Sequence, residues 1–203
     1  VRTNVFGSFN TVESAVAHGI ERVVCLSTDK AVQPVNAMGM TKAVMEKVVQ
    51  ATARRLKSGN TVVACVRYGN VMCSRGSVIP LFMNQLQQNE PLTITEPSMT
   101  RFMLPLRDAV SLVEFALTHA NQGDTFIQKA PACTIEDLAT AICNVFNVKP
   151  NIKSIGIRHG EKLYETLASS QELLRSEDMG DYYRISFDSR DLNYAKYFSE
   201  GES

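Results

Sequence analysis

The chain predicts an α/β fold, with part of a doubly wound parallel sheet followed by a smaller α+β lobe. Three observations carry this expectation. Residues 23–26 (VVCL) and 61–66 (TVVACV) are short continuous apolar runs, the pattern of strands covered on both faces. Residues 37–56 between them show helical spacing, which supplies the crossover that parallel neighbours need. After Gly69 the elements shorten and the texture changes. Residues 1–73 are expected to form the sheet, and residues 74–203 the lobe and a tail.

Each element has a local reason. Val5, Phe9, Val12 and Val16 recur at helical spacing over 3–18, and Gly19 supplies a stop. The first strand follows Glu21-Arg22, and a loop over 27–36 contains Pro34. The long helix ends at Ser58-Gly59-Asn60. Beyond the second strand, a helix over 77–88 follows a glycine turn, and 92–95 and 101–106 read as extended. Asp108 is expected to cap a helix reaching His119, and Phe126-Ile127 is strand-like. Thr134 and Asp137 have the spacing of a capping-box variant opening a helix to Phe146. Residues 152–157 read as a last strand, and the C-terminal forty or so as polar and irregular.

Composition narrows the function. Of 203 residues, 44% are apolar and 21% charged, with 21 basic side chains balancing 21 acidic ones. That apolar share argues against disorder. The absence of a basic excess removes the simplest case for a nucleic-acid partner. No run approaches the roughly 18 apolar residues of a membrane span. Five cysteines, at 25, 65, 73, 133 and 143, show no C-x-x-C and no metal-ligand spacing. Cys25 and Cys65 lie in apolar runs and are expected to be buried thiols. No metal site is expected, and a reducing cytoplasm is the expected compartment. The chain starts at Val1 and reads as mid-helix there, so a piece of a longer protein is expected.

The chemistry-bearing loop is Ser27-Thr28-Asp29-Lys30, directly after a buried strand. Ligands of open parallel sheets bind outside the strands' carboxyl ends. An acid beside a lysine offers both halves of a proton transfer. The bland alternative is a turn in which Asp29 caps the backbone and Lys30 is solvated. Lys42, in Met38-Gly39-Met40-Thr41-Lys42, projects from the first turns of the next helix toward the same strand ends. Its bland alternative is a surface pair with Glu46, worth a few tenths of a kcal/mol. His18 and His119 sit at helix C-termini, where an interaction with the helix dipole accounts for them.

Several blocks, taken in order, resemble a known family. They are Thr-Asn-Val-x-Gly-Ser-x-Asn from Thr3, then Ser27-Thr28-Asp29-Lys30-Ala31-Val32 with Pro34, Asn36, Met38-Gly39 and Lys42. Arg67-Tyr68-Gly69-Asn70-Val71-Met72 and Ser74-Arg75-Gly76-Ser77-Val78-Ile79-Pro80 follow. Next come Met99-Thr100-Arg101-Phe102-Met103 and Arg158-His159-Gly160-Glu161-Lys162-Leu163-Tyr164-Glu165. The last are Gly180-Asp181-Tyr182-Tyr183-Arg184 and Arg190-Asp191-Leu192-Asn193-Tyr194. The chain resembles the extended short-chain dehydrogenases/reductases, and within them the inverting, CapE-like UDP-N-acetylglucosamine 4,6-dehydratases/5-epimerases of capsule and O-antigen synthesis. The resemblance covers nearly the whole chain.

The resemblance implies a Rossmann-like sheet, bound NAD(P), and UDP-N-acetylglucosamine as substrate. It implies oxidation at C4, loss of water across C5–C6, return of hydride to C6, and inversion at C5. Lys30 is then the base at C5 and Asp29 the acid at C6. The lysine must be neutral part of the time, which desolvation or a neighbouring cation such as Lys42 favours. Where the wider superfamily has Tyr-x-x-x-Lys, this chain has Met38-x-x-x-Lys42, and a thioether transfers no proton. The C4 hydroxyl proton needs another route, through Lys30 or through Thr28 and water.

Lys42 keeps a place on the nicotinamide ribose, with Ser27, Tyr68 and Asn70 also on the cofactor side. The nucleotide-sugar contacts implied are Asn70, Val71, Ser74, Arg75, Gly76, Val78, Thr95, Arg101, Arg158 and Glu161. A helix N-terminus after Ser77 suits an anion, and arginine forks suit diphosphate. For Arg158 and Glu161 the alternative is a loop ion pair. His159, where many relatives have proline, is expected to be a bystander. No G-x-x-G-x-x-G occurs, so the first half of the cofactor domain is expected to lie outside this chain. Alone the chain is expected to be inactive, and the full protein a homo-oligomer. The other readings are a nucleotide-sugar 4-epimerase or a non-catalytic UDP-sugar-binding fragment.

Overall fold

The computed structural model describes residues 1–56 and 59–188. A π-helical turn, Arg2–Gly7, runs into α1 (Ser8–Ala17), and Gly19 ends the helix at φ +69°. The first strand, β1 (Arg22–Thr28), leads through a single 3-10 turn, Asp29–Ala31, to α2 (Ala37–Arg55) and β2 (Val62–Tyr68). β1 and β2 pair in parallel, with Cys25 opposite Cys65, as the apolar runs predict. Arg54 and Arg55 in the last turn of α2 complement its dipole.

Five strands form the main sheet, in the order β1-β2-β6-β10-β9. β6 (Thr125–Gln128) is parallel to β2, while β10 (Tyr182–Ile185) and β9 (Ser176–Asp178) are antiparallel additions. The segment expected to be irregular therefore closes one side of the sheet. Its strands are too short for a clear period-two signal, and their pairing with β6 decides them. Three of the five strands, β6, β9 and β10, lie beyond residue 73.

Alternation along β2 explains its unbroken apolar run. Val63 and Cys65 face Val12, Val49 and Ala53 from α1 and α2. Ala64 and Val66 face Leu112 and Ala116 of α4 (Leu106–His119) on the other side. Both faces are covered, so both sets of side chains are apolar. α4 starts at Leu106, after Pro105, and Asp108 lies in its first turn rather than capping it. Proline suits a helix entrance because no amide donor is lost there. Among the described helices, none is long and apolar enough to cross a membrane.

The lobe has its own core, where Ile79 and Phe82 of α3 (Val78–Gln87) meet Leu92 and Ile94 of β4 (Leu92–Ile94) and Leu138 of α5 (Ile135–Val145). Two small sheets flank it. One is β3 (Asn70–Val71), β5 (Thr100–Leu104) and β7 (Ala132–Thr134), and the other pairs β4 with β8 (Ile152–Ser154). Thr134 caps α5, accepting from the Asp137 N–H at 3.0 Å and donating to its carboxylate at 2.6 Å. A short helix, α6 (Ser170–Leu173), has a full capping box between Ser169 and Glu172.

Candidate active site

β1 and β2 end side by side, with Thr28 opposite Tyr68, and the chain turns at once through Asp29–Ala31. Asp29 is fully buried. Its Oδ1 accepts from Thr28 Oγ1 at 2.6 Å, from the Lys30 N–H at 2.8 Å and from Lys30 Nζ at 2.9 Å. Its Oδ2 is buried with no hydrogen-bond partner, an expensive state for a carboxyl oxygen. The Lys30 side chain is 25% exposed. The turn thus offers one free carboxyl oxygen and an amine within reach of solvent. Asp29 does hold the backbone, yet Lys30 is folded back on the carboxylate rather than solvated.

The first turn of α2 packs directly against this turn. Asn36 caps the helix, its Oδ1 accepting from the Gly39 N–H at 2.9 Å. A Cβ on Gly39 would stand 2.2 Å from the Lys30 carbonyl oxygen, so only glycine permits the approach. Met38 is exposed on the same turn. Lys42 does not pair with Glu46; its Nζ donates to the Leu26 carbonyl at 2.8 Å, on the open edge of β1.

The loop after β8 completes the arrangement. Asn36 Nδ2 donates to the Gly160 carbonyl at 3.1 Å, and Lys162 Nζ donates to Val32 O at 2.7 Å. Arg101 reaches the Lys162 carbonyl at 3.0 Å. Arg158 and Glu161 are not joined by their side chains; the Arg158 N–H donates to Glu161 Oε2 at 3.2 Å, leaving the guanidinium exposed. Asn70 lies on β3 with its Oδ1 buried and unpartnered, and Val71 continues that strand. Ser74, Arg75 and Gly76 form an exposed turn before α3, with Gly76 at φ +75°. Ser77 Oγ, at the N-terminus of α3, is also buried without a partner. Val78 packs on the lobe core, and Thr95 contacts Met99. Among the described residues no hydrogen bond or ion pair joins this 74–95 group to the acid–lysine turn. Residues 190–194 lie outside the described residues.

Ser27 is buried, and its hydroxyl donates to Glu46 Oε1 at 2.5 Å. Strand alternation turns Ser27 inward, away from the face that carries Thr28. Glu46 is held in turn by Arg67 of β2, at 2.8 and 2.6 Å. Arg67 also binds Glu172 at 3.1 and 2.9 Å. Burial would raise the Glu172 pKa, but hydrogen bonds from Arg67 and Ser169 hold it below its ordinary value. Tyr68 is half-buried against the α4 face, and burial pushes its phenol up.

Sequence reasoning missed Gly39, Glu46, Arg67, Lys162 and Glu172. A signal existed for two of them. Arg67 is a charge inside an apolar strand, and Glu46 shares its helix face with Val49 and Ala53. Buried charges at such positions must be paired.

The polysaccharide biosynthesis protein family matches residues 1–187. The "UDP-glucose 4-epimerase" of Rickettsia rickettsii is 58% identical over 202 residues, covering all of this chain. That of Rickettsia felis is 56% identical. The chain spans 59% of the length of these curated relatives. Among solved structures, Pen from Bacillus thuringiensis superposes with a TM-score of 0.86 at 37% identity, over 93% of this chain and 60% of that one. DesIV, a dTDP-glucose 4,6-dehydratase from Streptomyces venezuelae, gives 0.73 at 17% identity, over 98% and 64%. The latter likeness shows the fold alone, which is Rossmann-like. With the family match running through every element from α1 to β10, the chain belongs to the polysaccharide biosynthesis protein family.

Proposed function

We propose that this chain is the catalytic-turn and sugar-nucleotide portion of an enzyme that dehydrates UDP-N-acetylglucosamine across C5–C6 and inverts C5. The observation that carries the proposal is the Asp29–Lys30 pair, with one carboxyl oxygen buried and unpartnered. Elimination needs a base at C5 and an acid at the departing C6 hydroxyl. Lys30 Nζ and Asp29 Oδ1 are 2.9 Å apart, so one proton passed between them leaves a neutral amine and a carboxylic acid. Those are the two protonation states that elimination uses.

Lys30 then takes the C5 proton, the C5–C6 double bond forms, and Asp29 gives its proton to the leaving oxygen. Returning a proton to the opposite face of C5 inverts that centre. Thr28 Oγ1, bonded to Asp29, gives the C4 hydroxyl proton a route that Met38 cannot offer. The family resemblance implies NAD(P), which when bound supplies hydride exchange at C4 and C6. Lys42 and the exposed Leu26 edge of β1 suit its nicotinamide-ribose end. The pyrophosphate turn is proposed to lie in sequence beyond this chain, since the relatives are longer. The Asn70 side-chain amide N–H, the Ser77 hydroxyl and the exposed Arg75 and Arg158 would donate to the nucleotide diphosphate.

A second reading, C4 epimerisation of a UDP-hexose, is favoured by the name of the Rickettsia relatives. The test uses protein of the relatives' full length in deuterated water. Dehydration yields a 4-keto-6-deoxy sugar carrying deuterium at C5, and Lys30→Ala lowers its formation about 10²–10⁴-fold. A C4 epimer formed without deuterium at C5 or loss of water would replace this reading with the second. UDP binding without turnover of either sugar would leave a binding module.

A further inference from the structure

Arg67 is a charge in a buried strand, 5% exposed, and it serves two carboxylates from opposite ends of the chain. Its Nε and one terminal nitrogen fork onto Glu46 of α2, and both terminal nitrogens reach Glu172 of α6. One of them also donates to the Leu167 carbonyl at 3.3 Å. A buried charge cluster is weak evidence for stability, because apolar replacements of the same shape are often as stable. Its geometry is more telling.

On one side Glu46 holds Ser27, the residue before Thr28, and so fixes the strand end from which Asp29 and Lys30 project. On the other side Glu172 is locked by Ser169 in a capping box. That box lies in the segment running directly on from the 158–165 loop, which itself touches Val32 and Asn36 beside the acid–lysine turn. A single planar guanidinium therefore spans the floor of the turn and the base of the loop. Lysine, a point charge with no planar fork, cannot reproduce the paired bonds to both carboxylates.

We infer that Arg67 is a positioning residue that sets the Asp29–Lys30 turn in register with the substrate-holding loop 158–165, acting through Glu46–Ser27 on one side and Glu172 on the other. It touches neither sugar nor reacting atoms. The inference rests on the dehydratase reading and adds to it a residue to which the resemblance assigns no role.

The experiment compares wild-type, Ser27→Ala and Arg67→Lys proteins of the relatives' full length. The readouts are kcat, KM, melting temperature and the rate of deuterium entry at C5 of UDP-N-acetylglucosamine. Arg67→Lys should lower kcat and C5 exchange together by about 100-fold, as displacement by an ångström does. KM should stay within about twofold, because the uniform binding of substrate is untouched. Ser27→Ala cuts only the link to β1. It should lower both rates by about tenfold with little change in melting temperature, which keeps the test valid if Arg67→Lys does not fold.

Ser27→Ala with unchanged kcat and C5 exchange would overturn the positioning role while leaving the dehydratase reading intact. A rate loss that merely follows the unfolded fraction would overturn it as well. Wild-type protein that turns over substrate without C5 exchange would overturn the dehydratase reading, and this inference with it.

Discussion

Substituting Gly39 by alanine sets two opposing effects against each other, and the structure decides between them. In an exposed helix interior, alanine is more favourable than glycine by about 1 kcal/mol. Here the new Cβ would lie 2.2 Å from the Lys30 carbonyl oxygen and 3.2 Å from the Pro34 Cβ. Ordinary contact begins at 3.4 Å, so the carbonyl must retreat by about 1.2 Å, the gap between those two distances. It belongs to a turn tied down by Thr28, by Asp29 and by the α2 cap, not to a flexible side chain. Overpacking of this kind costs about 1–3 kcal/mol, which outweighs the gain in propensity. We expect Gly39→Ala to lower the stability of the 203-residue chain by about 1 kcal/mol, and by no more than about 2 kcal/mol, in urea unfolding. In protein of the relatives' length it should cost about 100-fold in kcat, because the displaced carbonyl belongs to Lys30 itself. A more stable variant with wild-type turnover would refute the close approach and, with it, the rigidity ascribed to the turn.

Two further outcomes follow from the burial of titratable groups. The Glu172 pKa is lower in the folded chain than its ordinary 4.5, so the unfolded chain binds more protons as pH falls through that value. Its contribution to stability is full above 4.5 and is lost progressively below it. Urea midpoints taken between about pH 6 and about pH 3.5 should therefore fall less steeply for Glu172→Gln than for wild type; equal slopes would contradict the Arg67–Glu172 bond. Burial pushes the Cys65 thiol well above 9.0, whereas Cys73 is exposed. A maleimide should modify Cys73 first and Cys65 only on unfolding, a sequence read by mass spectrometry and reversed if the β1–β2 core were open.

The parallel pairing of β1 and β2 was legible because burial on both faces leaves an apolar run that few other arrangements produce. The lobe was legible as a change of texture, and α3 and α5 emerged within a residue or two of their expected bounds. The last two strands were not. Tyr182, Tyr183, Arg184 and Ile185 form a strand because β6 offers an open edge, and Phe126 and Ile127 supply a surface for Tyr182 and Ile185 to pack on. That information lies more than fifty residues away in the chain. Asp108 misled for a simpler reason: acidic residues favour both the cap and the first turn of a helix, and Pro105 decides which position is which.

At the candidate site, the residues proposed to meet the sugar were easier to read than the residues that hold them. Thr28, Asp29 and Lys30 follow a strand end, and chemistry of that kind stands out against a sheet. Ser27 and Arg67 lie opposite each other in register on β1 and β2. By alternation they share the face of Val23, Cys25, Val63 and Cys65, against α2. On that face the apolar core ends and a polar floor begins, in which Glu46 satisfies both residues. A serine at a strand terminus reads as a turn former or a ligand contact when only its neighbours in sequence are visible. The partner that decides its role is on the next helix, and the guanidinium that fixes that partner is on the next strand. A buried arginine between Val66 and Tyr68 is thus the one position in β2 where the sequence itself demanded an acidic partner, and Glu46, on the buried face of the intervening helix, was placed to be found.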